Sequence, residues 1–326
     1  MTSKTLETTA RGETAFSVFM RNNLAIIAGL VIMCVLLSLC TDSFLTSSNI
    51  MSMLRQISTN AFLTLAMMLC IIIGGIDIGL GAYVALSGTV TAVMITNYGQ
   101  SIPVAIFCGL LSGALCGLAN GLFIAYVHVP AFIATMAMMN VARGAAYLAT
   151  NAEPVRVRDR DFAAIGIGRG VYEVPLPIIY TIVGVIAMAL FLNKTRMGRY
   201  IYSVGGNMTA ARYSGVNIKA VQIVVHVAAG VLAAFAGIVL AARMYSGQPA
   251  VAQGYELDAV AASVLGGISL TGGAGSVVSA MIGVLIIGVL QNGLNLMNIN
   301  SFWQIIAKGL VILVAVSADM LRNRGK

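Results

Sequence analysis

Apolar runs long enough to cross a bilayer recur from one end of this chain to the other, with the polar residues gathered between them. A helix needs about 20 predominantly apolar residues to span the hydrocarbon core. Runs of that kind lie at roughly 22–41, 59–77, 79–97, 102–127, 131–150, 175–193, 221–242, 257–272, 275–297 and 302–320. The pattern predicts about ten transmembrane helices, with 257–272 short for an ordinary span. The first run does not read as a cleavable signal peptide: it is longer than a typical h-region and no small-residue cleavage site follows it.

Composition agrees. The 326 residues are 59% hydrophobic and 9% charged, with a mean hydropathy of +0.93, which excludes an ordinary soluble domain. Helices in lipid associate through close packing of small residues, and 35 glycines are available for it. The net charge of +8 is topogenic. Cations gather in three regions: Lys4, Arg11 and Arg21; then Lys194, Arg196, Arg199, Arg212 and Lys219, with no carboxylate between 194 and 219; then Arg322, Arg324 and Lys326. The positive-inside rule sends all three to the cytoplasm, and the even number of spans between successive regions agrees. Segments 42–58, 151–174 and 243–256 are then expected outside. The middle one is polar yet neutral, which suits docking by a soluble protein and equally an inert connector. Because the cations flank helices, they make no nucleic-acid footprint. All five cysteines fall in predicted spans at no redox or metal-ligand spacing, so they are expected to pack as small hydrophobes.

A repeat lies in the glycines. GGIDIGLGA from Gly74 is echoed by GGISLTGGA from Gly266. Each copy is followed by an NGL tripeptide (Asn120-Gly121-Leu122, Asn292-Gly293-Leu294) and then by a cation and glycine within a span (Arg143-Gly144, Lys308-Gly309). The common order predicts two related halves, about 44–150 and 221–320, in one transmembrane domain over 1–326, with a cytoplasmic segment at 194–219. Parallel and inverted arrangements both stay open. Glycine-rich stretches make poor straight helices, and transporters line their pathways with interrupted helices. Gly74, Gly75, Asp77 and Gly81, with Gly266, Gly267, Gly272 and Gly273, are therefore candidates for the pathway or its hinge. The fold class expected is an all-α polytopic membrane protein with interrupted Gly-rich helices.

Charges inside apolar runs cost several kcal/mol unless paired or hydrated. Arg143 and Lys308, with Glu256 and Asp258 as the nearest carboxylates, are expected to face the bundle interior, as ion pairs that staple helices or as contacts to a transported solute. His128, ahead of Pro130, reads as a loop residue. Several chemistries are missing. No GxxxxGK[ST] phosphate loop occurs, since Lys194-Thr195 follows LFLN without glycines. Nor does an HExxH, a GxSxG or a His/Cys cluster. Neither catalysis nor a metal site is expected.

Four stretches carry a family resemblance: FLTSSNIMSMLRQIS (Phe44 to Ser58), GGIDIGLGAYVALSG (Gly74 to Gly88), GRYIYSVGGNMTAARYSGVNIKAV (Gly198 to Val221) and YELDAVAASVLGGISLTGGAGSV (Tyr255 to Val277). Over nearly its whole length the chain resembles the permease subunit of bacterial ribose-type ABC sugar importers. One departure is Gly79, where that family reads serine in GGIDLSVG. The resemblance implies a monosaccharide permease (for a ribose-like pentose or a hexose) in the inner membrane, with both termini cytoplasmic. It also implies a second permease copy, identical or not, a soluble periplasmic sugar-binding protein, and a cytoplasmic ATPase that carries the ATP and Mg. Gly205 to Gly215 would be the segment that couples to that ATPase. Its MTAAR can form a short helix capped by Asn207, with Ala210 and Ala211 small enough for a groove. Arg212 could meet a carboxylate, and Gly205, Gly206 and Gly215 permit sharp turns. An ion-coupled secondary transporter of a small polar solute is the alternative, for which Asp77 is the one interior carboxylate beside a break.

Overall fold

The computed structural model describes residues 15–170 and 173–323. Lys4, Arg11, Arg324 and Lys326 lie outside the described residues. The chain is helical almost throughout: α1 (Ala15–Cys40), α2 (Ser47–Ile72), α3 (Leu80–Thr96), α4 (Ile102–Leu122) with a π-helical turn Phe123–Val127, α5 (Ala131–Thr150), α6 (Arg160–Ile167), α7 (Leu176–Lys194), α8 (Arg196–Gly206), α9 (Met208–Tyr213), α10 (Ile218–Met244), α11 (Tyr255–Leu265), α12 (Val277–Leu296) and α13 (Ser301–Asn323). The described strands are two short ones, β1 (Val155–Arg156) and β2 (Ser246–Gly247), paired antiparallel. Among the described residues, five helices are long and apolar enough to cross a membrane: Ser47–Ile72, Ile102–Val127, Leu176–Lys194, Ile218–Met244 and Val277–Leu296. This is an all-α membrane protein.

Helix boundaries depart from the hydropathy pattern in informative places. The apolar run read from 59 belongs to a helix that starts at Ser47. Thr46 caps it, its hydroxyl accepting from the Asn49 N–H, and polar residues in its first turns find partners across α12. Asn49 and Asn292 exchange amide hydrogen bonds of 3.0 and 2.8 Å, and Gln56 donates to Gln291. A polar stretch can thus be helical and half-buried because each amide is met by another. Segment 194–219 is no open loop but two helices, α8 and α9. The cysteines also divide: Cys70 and Cys116 are buried, Cys34 and Cys108 intermediate, and Cys40 exposed.

The central packing is made by α2, α3, α4 and α10. Gly109, Gly113, Gly117 and Gly121 recur every four residues and so form one stripe along α4. A Cβ on Gly121 would lie 2.7 Å from the Ile223 Cα, and one on Gly117 2.8 Å from the His226 carbonyl carbon. Gly113 and Gly230 stand against each other's carbonyls. Two helices that bury no hydrophobic surface from water gain their contact by bringing backbones together, and only the missing Cβ permits it.

The segment expected as an outside loop at 243–256 is the largest correction. It begins beside the 151–174 segment, since β2 pairs with β1 and Thr96 at the end of α3 bonds Arg156 O at 3.2 Å. It then descends along α3. A Cβ on Gly247 would sit 2.6 Å from the Ala92 Cβ, while Ala252 O and the Glu256 carboxylate cover Gly81. From Ala92 to Gly81 is about 16 Å along a helix axis. The short α11 therefore starts deep in the bundle, after a re-entrant stretch of non-helical backbone.

Gly117→Leu is expected to force α4 from α10 and destabilise the purified protein by about 1–3 kcal/mol or more. Gly144 has nothing within 4 Å of its Cβ position, so Gly144→Ala is expected to be neutral or slightly stabilising. Thermal melts of both variants in detergent check this. Equal melting temperatures would deny the stripe its packing role.

Candidate functional site

The two glycine repeats form connections between helices instead of interrupting single ones. After α2, Gly74 takes φ +85°, and the amides of Gly74 and Gly75 close on Ile71 O and Cys70 O, both at 2.9 Å. The Gly79 N–H bonds Asp77 Oδ1 at 2.9 Å and starts α3. Between α11 and α12, Gly267, Gly272 and Gly273 take φ of +80°, +86° and +72°, where any side chain is strained. Ser276 caps α12 through the Ser279 N–H.

These two connections touch each other and the end of α8. The Gly273 N–H donates to Ile72 O at 2.8 Å. A Cβ on Gly205 would overlap Ile72 O and stand 2.6 Å from Gly273 N; one on Gly273 would stand 2.6 Å from the Gly206 Cα; one on Gly272 would stand 2.9 Å from Gly205 O and 3.2 Å from Gly74 N. Three segments distant in sequence thus meet backbone to backbone. Tyr202 of α8 adds a hydrogen bond from its hydroxyl to Gly275 O, 2.9 Å. Gly74, Gly205, Gly206, Gly272 and Gly273 are brought together. Others are not: Gly75 faces Ala131, Gly81 lies under Ala252 and Glu256, Gly266 packs on Ser279 and Ala280, and a Cβ on Gly267 would meet Ile26 at 3.9 Å.

Beyond Gly206 the chain turns into α9. Asn207 Oδ1 accepts from the Ala210 N–H at 2.9 Å, and Gly215 at φ +82° follows its end. Ala211 is buried and seats the helix, whereas Ala210 and Arg212 are exposed. Tyr213 is 87% exposed, a large aromatic offered to the surroundings beside Arg212. Lys219 stands 4.3 Å over the Tyr126 ring and ties the start of α10 to the π-helical turn. Sequence reasoning missed Tyr202, Tyr213 and the helical state of 196–206. The signal for α8 was present in Thr195, whose hydroxyl accepts from the Gly198 N–H at 3.0 Å.

The interior charges do not pair alike. Lys308 Nζ lies 2.9 Å from Asp258 Oδ2, and Gln291 donates to the same oxygen at 2.8 Å. Arg143 instead donates to two carbonyls of the re-entrant stretch, Pro249 O at 2.8 Å and Val251 O at 2.7 Å, while Glu256 Oε1 accepts from the Gly254 N–H at 3.2 Å. Among the described residues Arg143 has no carboxylate at salt-bridge distance, but Glu256 stands near enough for the two charges to attract. Non-helical backbone at membrane depth must have its polar groups satisfied from within the protein, and a guanidinium with five donors does so.

Asp77 is fully buried. Its Oδ1 also accepts from Tyr83 at 3.3 Å, whose hydroxyl oxygen accepts from Asn120 Nδ2 at 2.6 Å. The Tyr83 hydroxyl fills the position where a Cβ on residue 79 would stand. Gly79 is therefore the counterpart of Tyr83: the tyrosine brings a hydroxyl to the place from which the serine is missing. At the other end, Ser47, Ser48, Ser52 and Arg55 of α2 line a polar recess of about 570 Å³ with Arg169 and Glu173.

Comparison with known proteins then places the chain. Residues 49–316 match a family described as branched-chain amino acid transport system / permease component. The chain is similar to the ribose import permease protein RbsC of Bacillus subtilis, 41% identical over 296 residues, 90% of this chain and 92% of that protein. It is similar to RbsC of Escherichia coli, 42% identical over 296 residues, 89% of this chain and 91% of that protein. The L-arabinose transport system permease protein AraH of Escherichia coli is 38% identical over 300 residues, 91% of each chain. No solved structure matches.

Lys308→Met leaves Asp258, 4% exposed, with an uncompensated charge and is expected to destabilise the protein by about 3–5 kcal/mol. Adding Asp258→Asn should recover most of that loss, as read by thermal melts. A stable Lys308→Met protein that no longer transports would move Lys308 from scaffold to pathway.

Proposed function

The chain belongs to the branched-chain amino acid transport system / permease component family, and from that membership we propose that it is the membrane-spanning subunit of an ATP-driven ABC importer for a monosaccharide. The family description mentions amino acids, but relatives near 40% identity over nine-tenths of the chain are ribose and L-arabinose permeases. A ribose-like pentose is the first substrate to test and a hexose the second. The permease sits in the inner membrane with both termini cytoplasmic, and its ten spans divide into halves near 44–150 and 221–320 around the cytoplasmic segment 194–219. It works as a pair of permease copies. A periplasmic sugar-binding protein delivers the solute, and a separate cytoplasmic ATPase binds ATP and Mg and hydrolyses the nucleotide.

One observation carries this reading: the helix pair of the cytoplasmic segment touches both glycine connections directly, through Gly205, Ile72 and Gly273. In this account α9 rests in a cleft of the ATPase, with Arg212 facing a carboxylate and Tyr213 filling an apolar recess. Closure of the ATPase pair pushes α9, and α8 passes the displacement to the ends of α2 and α11. With no side chain between the backbones, little of the movement is lost to rotamer changes. The two permeases then rock against each other.

Arg212→Glu reverses charge at the interface and should weaken ATPase association by a few kcal/mol; replacing Met208–Arg212 by a Gly/Ser linker should abolish it. Co-purification of the ATPase and sugar-stimulated ATP hydrolysis in the reconstituted complex measure both effects. Retention of both after the linker replacement would refute the docking site. Concentrative sugar uptake by the permease alone under an ion gradient would favour a secondary transporter instead.

A further inference from the structure

Cys70 in the last turn of α2, Asp77 in the connection that follows and His226 in α10 each place one donor atom within 4.8 Å of the others. All three are buried, at 0%, 0% and 1% exposure. Among the described residues, one polar atom on each of two of these side chains has no hydrogen-bond partner: Asp77 Oδ2 and His226 Nε2. A buried polar atom left unmet is costly in an apolar bundle, and here two of them belong to side chains gathered beside the Cys70 sulfur.

The surroundings are those of a ligand set already oriented. His226 Nδ1 lies 2.8 Å from Gln222 O; a carbonyl only accepts, so Nδ1 carries the hydrogen and neutral imidazole keeps its lone pair on Nε2. The Asp77 carboxylate is held through its other oxygen by the Gly79 N–H and the Tyr83 hydroxyl. His226 also lines a cavity of about 260 Å³ with Gly74, Gly75, His128, Gln222 and Met208, which offers an approach and room for a water.

We propose that Cys70, Asp77 and His226 bind a divalent transition-metal ion of the zinc class, with water from the cavity in the fourth position. The donor set selects it. A thiolate is a poor ligand for magnesium or calcium and a good one for zinc or cobalt. One thiolate, one carboxylate, a neutral imidazole and a divalent cation sum to no net charge, which suits an apolar interior. On binding, the Cys70 thiol proton passes to solvent and a metal–sulfur bond forms. Tetrahedral zinc with bonds of about 2.0–2.3 Å needs donors about 3.3–3.6 Å apart, so side-chain rotations of about 1 Å complete the site. The three ligands come from α2, the first glycine connection and α10, so the ion ties α10 to the segment that adjoins Gly205 and Gly273. Bound metal is then a brake on that junction. The site stands whatever solute the chain carries, and its ligands are too far apart in sequence for spacing to reveal them.

The test titrates the purified full-length permease with Co²⁺ and then Zn²⁺. The expected result is one Co²⁺ per chain with a thiolate-to-cobalt charge-transfer absorption that Zn²⁺ abolishes. The absorption should survive when Cys34, Cys40, Cys108 and Cys116 are all replaced by alanine, and vanish in Cys70→Ser. His226→Ala should weaken affinity by at least about tenfold. Zn²⁺ should raise the melting temperature of the wild type and not of Cys70→Ser. The proposal is overturned if the wild type binds no Co²⁺ saturably, if the band is missing from the variant whose only cysteine is Cys70, or if His226→Ala binds as tightly as wild type.

Discussion

Backbone groups that leave a helix inside a membrane protein must find partners within the protein, and the hydrogen bond from the Gly273 N–H to Ile72 O is where this chain meets that constraint most tightly. It joins the ends of two glycine connections and leaves space that only a third glycine, Gly205, can enter. The same requirement explains Arg143. The re-entrant stretch after β2 brings bare carbonyls along α3, and the guanidinium donates to two of them. A cation within the bundle is thus matched to irregular backbone, and Lys308 is matched to Asp258 and so to the short helix that the stretch leads into.

Two kinds of glycine contact follow, with different mechanical consequences. Along α4 the glycines stand inside regular helix and bring it close against α10 and, at Gly109, against α3. At Gly267, Gly272 and Gly273 they sit at positive φ in connections, where the backbone can change its dihedrals at low cost. Rigid helices around a compliant junction are what a lever needs. In the coupling proposed above, the amphipathic α8, capped at Thr195 and bonded through Tyr202 to Gly275, is the arm that reaches it.

Much of this was legible in the sequence. Each apolar run contains a helix, although the run at 257–272 is helical only to Leu265 and that at 59–77 only to Ile72, and the helix at 208–213 with its Asn207 cap was readable from MTAAR because capping is local. Boundaries were lost where polar residues find distant partners: Asn49 and Gln56 looked like loop and are helix because Asn292 and Gln291 meet them. The descent of 243–256 was hidden for the same reason, since its carbonyls are satisfied by Arg143, about a hundred residues earlier. Of the repeat glycines, Gly74, Gly272 and Gly273 meet at the junction while Gly75, Gly81, Gly266 and Gly267 do not, and all were expected within interrupted helices; nothing local says that Gly205 touches both copies. Cys70, Asp77 and His226 are likewise joined only by the fold.

Hydrogen–deuterium exchange on the assembled transporter, with and without ATP, tests the account at its centre. If the junction moves as one body, protection in 73–79, 205–206 and 266–276 changes together when nucleotide binds, while the glycine stripe of α4 stays protected. Exchange that changes in 205–206 and leaves both connections untouched would contradict it.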